Sequence, residues 1–262
     1  MTKNNEKKRL ILISNDDGIN AKGLKYLIDI AKDFGDVVVI APEKGKSGMS
    51  HSVTLNEPIY LNKISKEEGL SVYACSGTPA DSIKIALHKV LNRKPDLVLA
   101  GINHGSNASV SAIYSGTVAA AREGSMNGIT SVAFSLLSHD PNADFSAAAK
   151  YTKIIIEKVL QNGIAKQTCL NVNIPNIPEK DIKGIKMCRQ TLGKWIEEFD
   201  YRVSPHNKDY YWLTGEFSNF EPQAQDTDEW ALNNNYVAIV PVKVDLTSYQ
   251  ALDELKKWKL NN

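Results

Sequence analysis

Six short runs rich in β-branched and aliphatic residues punctuate the chain, at 10–14, 36–41, 96–100, 131–136, 170–174 and 236–242. The first four are almost continuously apolar rather than alternating, which is the pattern of strands buried on both faces of a parallel sheet. Helical periodicity fills the intervals. Residues 21–34 place Leu24, Leu27, Ile28 and Ala31 on one face, 79–91 do the same with Ile83, Ala86, Leu87 and Val90, 117–126 is Ala-rich, and 143–160 aligns Ala147, Tyr151, Ile154, Ile155 and Val159. Strand then helix, repeated, predicts an α/β fold: a Rossmann-like three-layer sandwich around a mostly parallel sheet. Thr78-Pro79-Ala80-Asp81 is a helix start, with a capping hydroxyl, a proline suited to the first turn and an acid that favours the dipole.

Beyond residue 176 this rhythm stops. Residues 176–230 mix Pro, Gly, Trp and Tyr with no helical period, and Tyr210-Tyr211-Trp212-Leu213 reads as an aromatic strand. Loops and β-hairpins are expected, of the kind that leave an α/β body to pair with another subunit. Residues 251–259 predict a short helix. The expected division is a polar tail at 1–8, an α/β body at 9–176, and a hairpin and C-terminal extension at 177–262 within the same single-domain fold.

Composition narrows the function classes. With 31 Lys+Arg against 30 Asp+Glu the net charge is +1, so nothing draws the chain onto a nucleic-acid polymer or an anionic membrane. At 42% hydrophobic and 23% charged residues it is too apolar to be disordered. No apolar run approaches the ~20 residues of a membrane helix. Cys75, Cys169 and Cys188 are an odd, widely spaced set, which suits a reducing compartment. The polar start, followed by an apolar stretch of only 10–13, does not read as a signal peptide, and a cytoplasmic location is expected.

In an open parallel sheet ligands bind beyond the carboxyl ends of the strands, and there the polar residues collect. Ser14-Asn15-Asp16-Asp17-Gly18 follows the first run, a loop containing Ser47-Gly48 follows the second, Asn103-His104-Gly105-Ser106-Asn107 follows the third, and Tyr114-Ser115-Gly116-Thr117 opens a helix. Adjacent carboxylates repel, and a bound cation relieves the repulsion. Oxygen ligands select a hard divalent ion, with Ser47 and Asn103 able to add neutral oxygens to Asp16 and Asp17. The Ser115-Gly116-Thr117 turn can hold a phosphate at a helix N-terminus, joined by Asn107 and the Ser47-Gly48 turn. Set against this, an Asp-Asp-Gly is also an ordinary turn and a Ser an ordinary cap. No Walker loop, dinucleotide fingerprint or nucleophile elbow is present. The five histidines are at least sixteen residues apart, which leaves no His-x-x-x-His zinc helix. His104 either assists a proton transfer or shapes the pocket, and His88 reads as structural.

Together these segments are similar to the SurE family of survival proteins, which are metal-dependent 5′-nucleotidases. The resemblance rests on Ile13-Ser14-Asn15-Asp16-Asp17-Gly18, Ser47-Gly48, 50–55 (Ser-His-Ser-Val-Thr-Leu), Gly77-Thr78-Pro79-Ala80-Asp81, 101–107, 114–118, 170–175, Thr227-Asp228 and Asp245-Leu246-Thr247, in that order. It covers the chain from Arg9 to about Thr247 and is weakest over 190–220. It implies one divalent metal ion (Mg, Mn, Co or Ni) held by Asp16, Asp17, Ser47 and Asn103; of the catalytic pair Asp16 and Asp17, Asp16 is expected to orient or deprotonate a water while binding the metal and Asp17 to act as a ligand. It implies a substrate phosphate held by Asn15, Gly48, Asn107, Ser115, Gly116 and Thr117. The substrates would be nucleoside 5′-monophosphates, with 3′-monophosphates and short polyphosphate as further possibilities, and the assembly a homodimer or homotetramer formed through the C-terminal extension. Whether Asp16 activates a water or is itself phosphorylated stays open.

Rival readings remain at this level. A receiver-type regulatory domain also carries an acid pair after its first strand, but needs a phospho-acceptor Asp where this chain has Asn103, and is about half as long. A haloacid-dehalogenase-like phosphatase needs Asp-x-Asp, and Asp16-Asp17 lacks the spacer. A nucleotide-binding module without catalysis is the third.

Overall fold

The computed structural model describes residues 8–258 and Leu260. Its elements are, in order, β1 (Leu10–Ser14), α1 (Lys22–Ala31), β2 (Asp36–Pro42), β3 (Leu61–Glu67), β4 (Leu70–Cys75), α2 (Pro79–Ile85), β5 (Leu97–His104), α3 (Ser111–Tyr114), α4 (Gly116–Met126), β6 (Thr130–Leu136), α5 (Ser146–Asn162) and β7 (Thr168–Ile174). There follow β8 (Ile185–Met187), β9 (Gly193–Ile196), β10 (Phe199–Val203), β11 (Asp209–Leu213), β12 (Glu216–Asn219), α6 (Asp228–Asn233), β13 (Val237–Lys243) and α7 (Tyr249–Leu255).

The two-residue period of a strand sends Ile11 and Ile13 of β1 into one apolar layer and Leu12 into the other, all three fully buried. In the first layer α1 contributes Leu24, Leu27 and Ala31, at helical spacing, and packs beside α5 with Ile155, Ile156 and Val159. In the second, α4 lays Val118, Ala120 and Ala121 against Val98 and Ala100 of β5, with Ile83 of α2 alongside. Each buried Leu or Ile contributes roughly 1.5–3 kcal/mol relative to solvent exposure, so the two layers hold the sheet from both sides. This is the expected three-layer α/β architecture.

Nine strands form the sheet in the order β3-β4-β2-β1-β5-β6-β7-β13-β8. The pairs from β4 to β7 are parallel, whereas β3 runs antiparallel to β4 and β13 antiparallel to β7. The β3–β4 hairpin is absent from the sequence reading. β3 is an edge strand whose residues beyond Leu61 are all exposed, so it carries no apolar run to detect. The expected helix at 79–91 ends at Ile85 and continues as a single π turn, Ala86–Val90. Its start is as read: Thr78 Oγ1 accepts from Asp81 N at 3.1 Å and Asp81 Oδ2 accepts from Thr78 N at 2.9 Å, a reciprocal capping box. The 176–230 region holds two small antiparallel pairs, β9 with β12 and β10 with β11, before β13 returns to the main sheet.

Candidate active site

β1 pairs with β2 on one side and with β5 on the other, and the chain winds away from it in both directions. The ends of β1 and β5 therefore flank the point where strand order reverses, at which an open α/β sheet leaves a crevice. Asp16 and Asp17 follow β1 there, and Asn103 lies at the end of β5. The path of β5 is irregular: its register against β6 shifts between Ala100 and Asn103. Gly101 takes a φ of +121°, and a Cβ there would lie 2.3 Å from the carbonyl oxygen of Phe134. Only glycine permits this bulge, which re-aims the residues after it.

The four polar loops meet at one cavity of about 540 Å3, whose wall includes Asp16, Asp17, Ser47, Gly48, Asn103, Asn107 and Ser115. Three of the residues assigned from sequence do not line it. Asn15 is fully buried, its Nδ2 donating to Gly18 O at 2.9 Å. Thr117 is fully buried behind Asp16, to whose Oδ1 its hydroxyl donates at 2.6 Å. Gly116 packs against the same carboxylate, where a Cβ would come within 2.8 Å of Asp16 Cβ. The N-terminus of α4 thus approaches Asp16 closely because Gly116 has no side chain.

Asp16 is 3% exposed. Burial pushes its pKa up to about 6 against the lowering effect of the Thr117 hydrogen bond, and the neighbouring Asp17 charge pushes the same way as burial. Asp17 is also raised by burial, opposed by the hydrogen bond its Oδ2 accepts from His104 N at 2.9 Å and by the nearby His104 and His139. Two carboxylates held at such cost favour a cation between them.

Among the described residues, no cluster of three or more His, Cys, Asp or Glu is placed to hold a metal ion. A cation at the acid pair would complete its shell with neutral oxygens. Asn103 Nδ2 is occupied by the carbonyls of His104 and Gly105, at 3.2 and 2.9 Å, which leaves its Oδ1 as the available acceptor. Ser47 supplies a hydroxyl from an exposed loop. This all-oxygen set suits a hard divalent ion, so the residues fit the group expected from the sequence.

At the start of α4, Ser115 Oγ caps the helix by accepting from Val118 N at 3.0 Å, which leaves its own proton able to donate. Asn107 is held by two buried amides and a hydroxyl: its N donates to Asn173 Oδ1 at 2.8 Å, its O accepts from Asn171 Nδ2 at 2.7 Å, and its Nδ2 donates to Ser135 Oγ at 2.8 Å. The asparagines of β7 are thus the reason the loop after β5 stays in place.

The model of the family described as survival protein SurE matches residues 11–197. The chain belongs to the SurE family. A protein named 5′-nucleotidase SurE from Flavobacterium johnsoniae is 50% identical over 257 residues, 98% of this chain and 99% of that one. One of the same name from Bacteroides fragilis is 48% identical over 254 residues, covering 97% and 99%. The crystal structure of the SurE protein from Aquifex aeolicus superposes with a TM-score of 0.82 at 39% identity, over 95% of this chain and 99% of that one.

Viewed as a SurE chain, the molecule contains cavity residues that sequence reasoning missed. His139, in the loop after β6, lines the cavity. Trp195 and Glu198 come from β9 and the turn after it, and Leu213 and Thr214 from the end of β11. Leu213 belongs to the strand read at 210–213, but nothing local indexes any of the four to the cavity, so only a tertiary path reveals them. Asp228, in the Thr227-Asp228 pair of the SurE resemblance, holds that path. Its buried carboxylate accepts from Ser109 N at 2.8 Å, and from Thr191 N and Oγ1 at 2.9 and 2.6 Å. One side chain thereby joins the base of the hairpins to the loop that carries Asn107. His104 lies in the cavity wall with its ring edge-on to Phe145, 4.9 Å between centroids.

Proposed function

We propose that this cavity is the catalytic centre of a metal-dependent 5′-nucleotidase that hydrolyses nucleoside monophosphates to nucleoside and phosphate. The observation that carries the reading is the convergence, at the reversal point of the sheet, of an acid pair with neutral oxygens on one side and a capped helix N-terminus on the other. Near 50% identity over the whole length to proteins named 5′-nucleotidase supports the enzyme over a regulatory or purely binding module.

In this reading Asp16, Asp17, Ser47 and Asn103 hold one divalent ion, which when bound offsets charge on the phosphate and acidifies a water. Thr117 fixes the rotation of the Asp16 carboxylate by hydrogen bonding Oδ1, and Asp16 orients the attacking water and accepts its proton. Ser115 and Asn107, with the backbone of Gly48, stabilise the equatorial oxygens as charge develops. Gly116 admits the phosphate end of the cavity close to Asp16. Asn15 and Thr117 act from behind the wall, shaping the loop and the carboxylate rather than touching substrate.

The same reading includes 3′-monophosphates and short polyphosphate as further substrates, and a homodimer or homotetramer assembled through the C-terminal extension. Exposed Phe199, Tyr211, Trp212 and Leu213 on β10 and β11 support the latter. It places the protein in the cytoplasm, for which three buried free thiols speak. No helix among the described residues is long and apolar enough to cross a membrane. The deciding experiment is an activity panel of Mg, Mn, Co and Ni against AMP, GMP, 3′-AMP and polyphosphate. Metal-dependent phosphate release from AMP, abolished by EDTA, is expected. Undiminished turnover by purified Asp16→Asn protein would remove the assignment of the site.

A further inference from the structure

The segment between β2 and β3, residues 43–60, has no regular structure, yet Ser47 and Gly48 on it form part of the cavity wall. A loop of this length is entropically free to wander unless it is pinned. Its pins lie just past the two functional residues. Ser50 adopts a φ of +53°, a strained value for a residue with a side chain, and both its N and its Oγ are held, by Tyr114 O at 2.9 Å and Ile113 O at 2.7 Å. Ser52 O accepts from Thr78 Oγ1 at 2.8 Å, and Thr54 Oγ1 donates to Asp81 Oδ2 at 2.6 Å.

One pin differs in kind. His51 Nε2 lies 3.0 Å from Glu123 Oε2, on a carboxylate that is 3% exposed and sits two turns into α4. The other oxygen of Glu123 accepts from Lys84 Nζ of α2 at 2.9 Å and from Asn127 Nδ2 at 3.1 Å. A buried carboxylate is tolerated only when so partnered. This is the same helix whose first turn grips Asp16 through Thr117. α4 therefore holds the acid loop by its N-terminus and the Ser47 loop by its middle, and the relative position of the two is set along one rigid element.

We propose that His51, through Glu123 and Lys84, is a positioning residue that sets Ser47 and Gly48 against the acid pair, so that affinity for the divalent ion depends on a histidine that does not line the cavity. The inference rests on the reading of Ser47 as a ligand. Groups that orient ligands from outside the coordination shell typically change metal affinity by 10–100-fold when removed.

The test is Mn²⁺ titration of the full-length, EDTA-stripped protein, followed by the loss of the free-ion electron paramagnetic resonance signal. His51→Ala, His51→Gln, Glu123→Gln and Ser47→Ala are compared with the parent, with thermal unfolding of the metal-free proteins measured alongside. His51→Ala is expected to weaken Mn²⁺ about tenfold, and His51→Gln, whose amide can still donate to Glu123, to restore most of the affinity. Unchanged Mn²⁺ affinity in His51→Ala, with only a lower unfolding temperature, would show a plain stability contact and overturn the proposal. So would equal weakening by Ala and Gln. If His51→Ala does not fold, Glu123→Gln decides in the same way: weakened Mn²⁺ affinity supports the proposal and unchanged affinity overturns it. Ser47→Ala separates the two layers of the argument. Weakening there with none in the His51 variants removes the positioning role alone, whereas no weakening by Ser47→Ala removes the ligand assignment on which it rests.

Discussion

The hydroxyl of Thr117 donates a 2.6 Å hydrogen bond to Oδ1 of Asp16 across 101 residues of sequence. It ties the loop after the first strand to the first turn of α4, so the residues assigned to metal and to phosphate are directly connected. Thr117→Val keeps the shape and removes the donor. A drop of about 10–100-fold in kcat for AMP with Mn²⁺ is expected, as for loss of a group that orients a catalytic side chain. Stability should fall by about 1–3 kcal/mol in urea unfolding, the usual result of leaving a buried acceptor unpaired. Full activity in this variant would mean that the orientation of Asp16 is set by something else.

Asp16→Asn should lose activity by a hundredfold or more while its metal-free form becomes relatively more stable as pH rises. The sign follows from linkage. The folded-state pKa of Asp16 is raised from 3.8 to about 6, so the stability tied to its neutral form is present below about pH 4 and lost as pH rises through about 6. Asn carries no such penalty. Denaturant midpoints of both EDTA-treated proteins at pH 5 and pH 8 check this, and equal differences at the two values would contradict it.

Glu229, on α6 and outside the cavity wall, supplies a second pH dependence. Burial raises its pKa from 4.5 to about 7, with the adjacent Asp228 charge adding to the effect. Its stabilising contribution is therefore complete below about pH 4.5 and lost as pH climbs through about 7. Glu229→Gln should raise the unfolding temperature by a few degrees at pH 8, as a gain near 1 kcal/mol does for a domain of this size, and change it little at pH 4.5. A shift of the same size at both pH values would exclude titration of Glu229 as the cause.

The β10–β11 hairpin exposes Phe199, Tyr201, Tyr211 and Leu213 on one face and Trp212 on the other. Trp212→Asp is expected to shift the protein to a smaller species in sedimentation velocity without altering far-ultraviolet circular dichroism of the α/β body. A parent protein that already sediments as a monomer would remove the hairpin from assembly.

Much of the molecule was legible before any coordinates. Apolar runs at 10–14, 36–41, 96–100 and 131–136 mark strands buried on both faces, because such strands need no polar face. The cap at Thr78 was readable because capping uses residues three apart. Gathering of Asp16, Ser47, Asn103 and Ser115 at one sheet edge followed from parallel topology alone, since every strand in such a sheet ends on the same side. What local pattern could not supply was depth and direction. Asn15, Gly116 and Thr117 lie in the same tripeptide-scale motifs as residues that face the cavity, yet stand behind its wall. Rotation about a few backbone angles decides which side chain in a loop faces a ligand, and sequence spacing does not record it. His139, Trp195 and Glu198 reach the cavity along paths set by the packing of loops and hairpins. The chain's own order of residues thus determined the parallel centre of the sheet, its flanking helices and the edge at which chemistry collects, but not the β3–β4 hairpin or the antiparallel return of β13. The tertiary structure alone decided which of those residues touch a common space, because that depends on contacts between segments a hundred residues apart, such as Asp16 with Thr117 and Ser109 with Asp228.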